Sequence, residues 1–224
     1  RCFYMHERKG VKAPSGPAFN LNNAVDNLYK NEFDFYRKEK KPHPIMIKNK
    51  IDCIPYENEN LAEWRNAFKG IRYHDKKTNF IIFGGIDDVW INKNEELHIV
   101  DYKATAKQNF KPNFDTGWEV CYKRQIEIYQ WLFKKNGFKV SDIGFIIYAN
   151  GKSDEKDFGG NLMFDEHLYT LKCDTNWVDK ILEEMYECLK SESLPRTGGG
   201  WNGQGCEQCA YKKQLYEIFK SHVS

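Results

Sequence analysis

Two carboxylates and one ammonium group are predicted to lie close together near the middle of the sequence. Asp101 and Lys103 are separated by one residue in an apolar segment that favours a β-strand, so both side chains project from the same face. Asp87 precedes residues 92–95 (Asn-Lys-Asn-Glu), which predict a hairpin turn, and the hairpin brings Asp87 near Asp101. Asp88 then points to the opposite face, and a one-residue shift in register would exchange the two aspartates.

These residue types favour metal chemistry. Neighbouring carboxylates repel one another unless a cation joins them. Their hard oxygen atoms suit Mg²⁺ or Mn²⁺, which can activate water and polarise a phosphodiester. Lys103 would then orient or deprotonate the attacking water, or neutralise charge in the transition state. The alternative is an ordinary ion pair between Asp101 and Lys103, because Asp-x-Lys is a common tripeptide.

Motifs on both sides of this tripeptide strengthen the metal hypothesis. Residues 84–87 (Gly-Gly-Ile-Asp) come before the hairpin, and residues 99–103 (Ile-Val-Asp-Tyr-Lys), with Thr105, come after it. Gln125 and Tyr129 follow at a spacing that places them on one face of a predicted helix. In this order and spacing, the motifs resemble those of the PD-(D/E)XK nuclease superfamily, in the branch of RecB-like and CRISPR-adaptation nucleases.

The resemblance implies an α/β fold with a restriction-endonuclease-like core, in which helices flank both faces of a mixed sheet. It implies that Asp87 and Asp101 bind Mg²⁺ or Mn²⁺, that Lys103 assists the nucleophile, and that Gln125 and Tyr129 position substrate or metal-bound water. Exonuclease action and single-stranded or end-bearing DNA as substrate are implied by the branch alone. The alternative is a non-catalytic nucleic-acid-binding or scaffold module on the same fold.

The resembled family completes its metal site with an acidic residue or a histidine on the first helix. Asp26 occupies the matching place, on the helix face that also carries Tyr29 and Phe33. This departs from the histidine that is common in the branch. Glu32 is the alternative ligand, and a surface role for Asp26 remains the competing interpretation.

Three of the seven cysteines form a candidate metal site. Cys206 and Cys209 have the Cys-x-x-Cys spacing of half a metal site. In the resembled branch, several members join the chain ends with a [4Fe-4S] cluster held by one N-terminal and three C-terminal cysteines, and Cys2 fits the N-terminal position. One thiolate is missing: either it precedes Arg1, or His6 completes a Zn²⁺ site. Free thiols are the remaining alternative, and a protein whose function depends on such a cluster alone is a third functional hypothesis.

The sequence also predicts the elements that position these residues. Apolar spacing predicts helices at 21–38 (N-cap Asn20), at 61–68, at 118–136 up to Gly137, and from Asp174 or Thr175 to Pro195. Strands are predicted at 71–74, 80–83, 86–91, 97–103, 143–149 and 168–173, with a connector at 41–55. We expect a single domain over 1–224. Its terminal segments are an irregular 1–19 and 196–224, where a Gly-rich loop leads to a short helix.

Composition limits the function classes. A chain of 224 residues, 41% apolar and 15% aromatic, can bury a sizeable core, whereas a net charge of +2 gives no global field that attracts nucleic acid. The basic segment 37–50, together with Lys107 and Lys111, is either a solvated face or a set of phosphate contacts. The aromatic residues of loop 110–118 lie between lysines and are candidate DNA contacts.

The sequence contains no apolar run of membrane-spanning length and no signal-peptide pattern. An odd number of widely spaced cysteines is not typical of a secreted disulfide framework and favours a reducing, intracellular compartment. Together with the resemblance, this leads us to expect a cytoplasmic protein in a prokaryotic or phage-like context. Because the chain begins with Arg1, we expect native residues to precede it.

Overall fold

The computed structural model describes residues 1–13, 16, 19–199 and 205–223, without the side chains of 221–223. Pro14, Pro17 and Gly200, which belong to the predicted irregular entry and Gly-rich loop, lie outside the described residues. No helix in the described part of the chain is both long enough and apolar enough to cross a membrane.

A five-stranded mixed sheet forms the centre of the fold, in the order β1-β4-β5-β6-β7. Its strands are β1 (Cys53–Pro55), β4 (Asp88–Asn92), β5 (Leu97–Thr105), β6 (Ile143–Gly151) and β7 (Phe164–Lys172). β5 and β6 run parallel, and the other neighbours are antiparallel. A separate antiparallel hairpin is formed by β2 (Ile71–Asp75) and β3 (Phe80–Gly84).

Helices cover both faces of the sheet. They are α1 (Cys2–Glu7), α2 (Asn20–Lys38), α3 (Pro44–Lys48), α4 (Leu61–Trp64), α5 (Val120–Lys135), α6 (Trp177–Lys190) and α7 (Glu207–Val223). Ile99 of β5 packs in the cluster that contains Ile126 of α5, whereas Val100 packs in the cluster that contains Phe33 of α2. The predicted fold class, a restriction-endonuclease-like mixed sheet with helices on both faces, is therefore confirmed.

The predicted hairpin at 92–95 is confirmed, and it sets the register of β4 against β5. The backbone N–H of Asn92 donates to the carbonyl of Glu96 at 3.1 Å, which closes the turn. Asp88 pairs with Val100 across the two strands, so Asp87 lies on the face that carries Asp101. The β5 side chains also alternate between the two faces as predicted.

The prediction of an irregular segment at 1–19 was wrong for Cys2–Glu7, which forms α1, whereas residues 8–13 are irregular as predicted. Tyr4 is buried, and its hydroxyl donates to the carbonyl of Ser191, just after α6, at 3.0 Å. A single buried anchor therefore stabilises a helix that is too short to show a periodic pattern.

The connector predicted at 41–55 contains α3 and the edge strand β1. The His43 side chain accepts a hydrogen bond from the backbone N–H of Ile45 at 3.1 Å, and Pro44 follows at the first helical position. β1 ends at Pro55, a residue that is tolerated on an edge strand because it has no N–H to donate.

Several predicted helix boundaries were also wrong. Asn20 is the first residue of α2, after an N-cap at Phe19. α4 ends at Trp64 instead of residue 68, and α6 begins after Asn176 and ends at Lys190, before Pro195. The C-terminal helix, which was predicted to be short, is the 17-residue α7. The stop at Gly137, which follows α5 with a φ of +86°, is confirmed.

A buried cluster of acidic and basic side chains connects β4 to two helices. Asp88 is fully buried and accepts hydrogen bonds from Arg37 of α2, from Arg65 at 3.2 Å and from the Tyr102 hydroxyl at 2.8 Å. Arg65 also donates to both carboxylate oxygens of Asp34 at 2.9 Å. The charges are therefore paired as well as buried, which is the condition under which burial is tolerated.

Replacing Asp88 with Ala should lower the free energy of unfolding by about 3–5 kcal/mol, because it removes the fully buried carboxylate that Arg37 and Arg65 share and leaves them paired with the partly exposed Asp34. Urea denaturation measures the change. Asp52→Ala is the matched control: Asp52 and its partner Lys93 are 73% and 76% exposed, so we expect no measurable loss. Equal losses in the two variants would show that the cluster is not a stabilising centre.

Candidate active site

Asp101 is the most deeply buried acidic group on the α5-facing side of β5. Its residue is 1% exposed, and its carboxylate pairs with the ammonium of Lys103. Burial raises the pKa of Asp101 from the ordinary value of 3.8 to about 7; Lys103 opposes this rise and the charge of Asp87 adds to it. When protonated, Asp101 can donate a hydrogen bond to Asp87, so the two carboxyl groups lie within direct reach of each other.

Asp87 immediately precedes β4, so the strand predicted at 86–91 begins two residues later than expected. The backbone is drawn towards α4 instead: Ile86 N–H donates to the Trp64 carbonyl at 3.0 Å, and Arg65 Nε donates to the Asp87 carbonyl at 2.9 Å. The Asp87 side chain nevertheless faces β5, where its Oδ2 accepts from the Tyr102 N–H at 2.9 Å.

Helix α2, which the sequence predicted as the first helix, brings Asp26, rather than Glu32, to this group. Lys30 Nζ lies 2.6 Å from Asp26 Oδ2 and 3.3 Å from Asp87 Oδ1. Asp26 Oδ1 is buried and has no hydrogen-bond partner among the described residues. Burial, followed by the Asp87 charge, raises the pKa of Asp26. Glu32 is engaged elsewhere, since its Oε1 lies 2.8 Å from His43 Nε2.

Lys103 is charged at neutral pH. Burial alone lowers the pKa of an ammonium group, but the nearby Asp101 and Asp87 carboxylates outweigh it and raise the pKa of Lys103. Its Nζ also lies 4.9 Å from the ring centroid of Tyr122, a cation–π contact. A positively charged group cannot accept a proton, so this geometry favours orientation and charge neutralisation over proton abstraction.

Gln125 and Tyr129 lie on one face of α5, and the Gln125 side-chain amide donates to the Tyr129 hydroxyl at 3.0 Å. Burial raises the pKa of Tyr129, and the charges of Asp101 and Asp87 add to the rise, which places the phenol near the carboxylates. The Tyr129 ring packs directly on Gly84, where a Cβ would lie 2.5 Å from Cε1. A glycine at this position therefore permits the close approach of α5 to the site.

The donor set fits a hard divalent cation in type, because it combines three carboxylates with a buried, unpaired oxygen on Asp26. The three carboxylates do not all lie within 4.8 Å of one another, however. In the described part of the chain, the only three ligand atoms within 4.8 Å of one another are the thiols of Cys2, Cys206 and Cys209. Lys30 and Lys103 instead supply the positive charge beside the acidic groups.

The three thiols join the two ends of the described chain. Hydrogen bonds from the backbone N–H and thiol of Cys209 lower the pKa of Cys206, which favours the thiolate form that binds metals. His6, the alternative fourth ligand, is not in the group, and its Nδ1 contacts Glu7. The arrangement supplies three sulfur ligands for a metal centre.

The candidate DNA contacts divide into structural and accessible residues. Arg37, in the predicted basic segment, is buried against Asp34 and Asp88 and does not face solvent. Phe110 packs on Tyr148, with ring centroids 4.5 Å apart. Phe110 is partly buried, and a second residue of loop 110–118, Phe114, is buried. The Trp118 side chain is 51% exposed, and both Lys107 and Lys111 are exposed.

Two residues near the site were missed. Lys30 follows Asp26 by four residues, and this spacing on a helix is the signal that could have identified it. Tyr122 precedes Gln125 on α5, and no local pattern distinguishes it from an ordinary core aromatic.

The fold and the carboxylate-lysine arrangement define a mixed α/β protein with a nuclease-like site. The profile of the PD-(D/E)XK nuclease superfamily matches residues 8–214, and the chain belongs to this superfamily. Its members are generally nucleases or phosphodiesterases, act on nucleic acid and typically use divalent metal ions. No curated protein shows significant similarity to the chain.

The raised pKa of Asp101 predicts a specific pH dependence of stability without metal. Between the ordinary value of 3.8 and about 7, the folded chain binds more protons than the unfolded chain, so the free energy of unfolding falls as pH rises. Asp101→Asn removes this titration and should flatten the decline. Urea denaturation with EDTA across that range measures it. The exposed control Asp165→Asn should follow the parent protein, and parallel profiles for Asp101→Asn would contradict the assignment.

Proposed function

We propose that the protein is a metal-dependent nuclease that hydrolyses DNA phosphodiester bonds. One observation carries the proposal: the buried Asp101 carboxyl faces Asp87 and is paired with the charged Lys103 at the centre of the sheet. Burying like charges together is unfavourable for stability, and such sites are typical of function. Asp26, Asp87 and Asp101 would hold Mg²⁺ or Mn²⁺.

The metal ion, when bound, would polarise the phosphodiester and activate a water molecule. Lys103 would stabilise negative charge that develops on the phosphate, in keeping with its raised pKa. The Gln125 amide holds the Tyr129 hydroxyl, and together they would position substrate or water beside the carboxylates. Thr105, at the end of β5, belongs to the same motif and has no separate role in this mechanism.

The substrate proposal is single-stranded or end-bearing DNA, with exonuclease action and membership of the RecB-like branch. It rests on the sequence motifs and on the accessible groups beside the site. The exposed Trp118 could stack on a base, while Lys107 and Lys111 could contact phosphates.

We further propose that Cys2, Cys206 and Cys209 bind a structural metal centre, either a [4Fe-4S] cluster or Zn²⁺. The proximity of the three sulfur atoms supports this, as does the lowered pKa of Cys206. A bound centre would tie α1 to α7 and supply folding free energy to the two chain ends.

Asp101→Asn and Lys103→Ala should each lower kcat by about 10²–10⁴-fold on linear DNA, since one removes a metal ligand and the other a charge beside the phosphate. The assay uses Mg²⁺ or Mn²⁺ with single- and double-stranded DNA and with RNA. Circular single-stranded DNA tests for exonuclease action, because it should remain intact.

Calorimetry of Mg²⁺ binding separates the two roles: Asp101→Asn should lose binding, whereas Lys103→Ala should retain it. The exposed Asp165→Asn variant should behave as the parent protein in both assays. Activity that survives both site substitutions would show that the site is elsewhere. If the parent protein cleaves no substrate with either metal but binds DNA, the non-catalytic binding module is the correct function.

Anaerobically purified protein should contain iron with a broad visible absorption band, or zinc by elemental analysis. Cys206→Ser should abolish either signal and lower the Tm, because one of three nearby sulfur ligands is lost. Cys188→Ser, on α6 and outside the thiol group, is the matched control and should retain the metal. Absence of both metals from the parent protein would exclude the structural centre.

A further inference from the structure

Lys30 occupies a position between two of the proposed metal ligands. It lies one helical turn after Asp26 on α2, and its Nζ contacts Asp26 Oδ2 at 2.6 Å and Asp87 Oδ1 at 3.3 Å. The side chain is 19% exposed, so this ammonium is held in the site and does not project into solvent. The proposed hydrolysis gives it no role.

We infer that Lys30 is an exchangeable counter-ion of the acidic site: it holds Asp26 and Asp87 in the metal-free protein and releases them when a divalent metal ion binds. This inference rests on the proposed function, since it requires that Asp26, Asp87 and Asp101 form the metal site. Lys30 is therefore a positioning residue that sets metal affinity. It does not act on the substrate.

The Lys30 ammonium group lies between two carboxylates of the proposed metal site. The two carboxylates bound by Lys30 are the ones that a shared metal ion would have to bind. An ammonium group and a metal ion cannot contact the same oxygen atoms from the same side. The three carboxylates are also not gathered within 4.8 Å of one another, as a common ligand sphere requires. A metal ion that binds Asp26 Oδ2 or Asp87 Oδ1 would therefore replace a Lys30 contact.

Lys30 pairs with the Asp26 carboxylate through one of its two oxygens. Asp26 Oδ2 is paired with Lys30, but Asp26 Oδ1 is buried and unpaired among the described residues, although buried polar atoms normally have a partner. Lys30 thus satisfies only half of this carboxylate. A metal ion, which can bind one or both carboxylate oxygens, would satisfy Asp26 more completely than the ammonium does.

The charges and positions of the two lysines favour Lys30, rather than Lys103, as the cation that a metal ion replaces. Three carboxylates and two ammonium groups leave the cluster with one net negative charge when all are ionised. Lys103 is confined by its contacts with Asp101 and the Tyr122 ring, on the sheet itself. Lys30 extends on a flexible stem from a helix surface, so it is the cation that can move away with the smaller rearrangement.

Chemical labelling tests the exchange directly. Lysines are acetylated with limiting acetic anhydride, and peptide mass spectrometry gives the rate at each residue with EDTA or with saturating MgCl₂. Lys30 should react slowly with EDTA and about tenfold faster with Mg²⁺, because breaking a half-buried ion pair exposes its amine. Lys38, an exposed residue in the last turn of the same helix, is the internal control and should react equally in both conditions.

Calorimetry provides the second readout. Lys30→Met should bind Mg²⁺ about tenfold more tightly than the parent protein, since no counter-ion has to be displaced. Lys38→Met should bind with unchanged affinity. Tighter binding by Lys30→Met, without any effect of Mg²⁺ on Lys30 labelling in the parent protein, would mean that Lys30 acts through its charge alone and would overturn the exchange.

Magnesium binding by the parent protein and by Asp101→Asn separates a wrong Lys30 exchange from a wrong metal site. If the parent protein binds Mg²⁺ in a manner that depends on Asp101, but neither Lys30 measurement changes as expected, the metal site stands and the exchange is wrong. If calorimetry detects no Mg²⁺ binding that Asp101→Asn abolishes, the metal site is itself wrong, and the exchange is overturned with it.

Discussion

The pairing of β4 with β5 in one register decides which of two adjacent aspartates reaches the candidate active site. Because Asp88 pairs with Val100, its side chain points towards α2 and is buried with Arg37 and Arg65. Asp87 is directed to the opposite face, towards Asp101. A shift of one residue would bury Asp87 among the arginines and direct the Asp88 carboxylate to the acidic site instead. The turn at 92–95, at the far end of the hairpin, therefore determines which carboxylate lies in the candidate active site.

The two faces are mechanically linked through Arg65. Its guanidinium group binds Asp88 and Asp34 on the buried side, while its Nε donates to the backbone carbonyl of Asp87 at 2.9 Å. The buried cluster thus holds the backbone of a proposed metal ligand without contacting its carboxylate. Such outer contacts orient ligands and affect metal affinity. Stability and site geometry consequently depend on the same guanidinium group.

Sequence patterns predicted this site best where the determining interactions are local. The hairpin turn, the alternation along β5 and the pairing of Gln125 with Tyr129 each depend on residues a few positions apart, and the structure contains all three. α1 and β1 were missed because each is short and is stabilised by distant partners: Tyr4 reaches Ser191, and β1 pairs only with β4. The salt-bridge cluster could not be predicted either, since Arg37 and Asp88 are 51 positions apart.

Lys30 illustrates how electrostatics can reconcile the proposed metal site with a stable metal-free fold. Three carboxylates at the edge of a buried region would repel one another, and burial already raises the pKa of both Asp26 and Asp101. Two ammonium groups reduce this repulsion from opposite sides: Lys103 from the sheet, and Lys30 from the helix. The proposed roles differ because the surroundings differ: Lys103 lies on a strand between Asp101 and the Tyr122 ring, whereas Lys30 extends from α2. A lysine confined in this way suits charge stabilisation in the transition state, whereas one that extends from a helix suits exchange with a stronger cation.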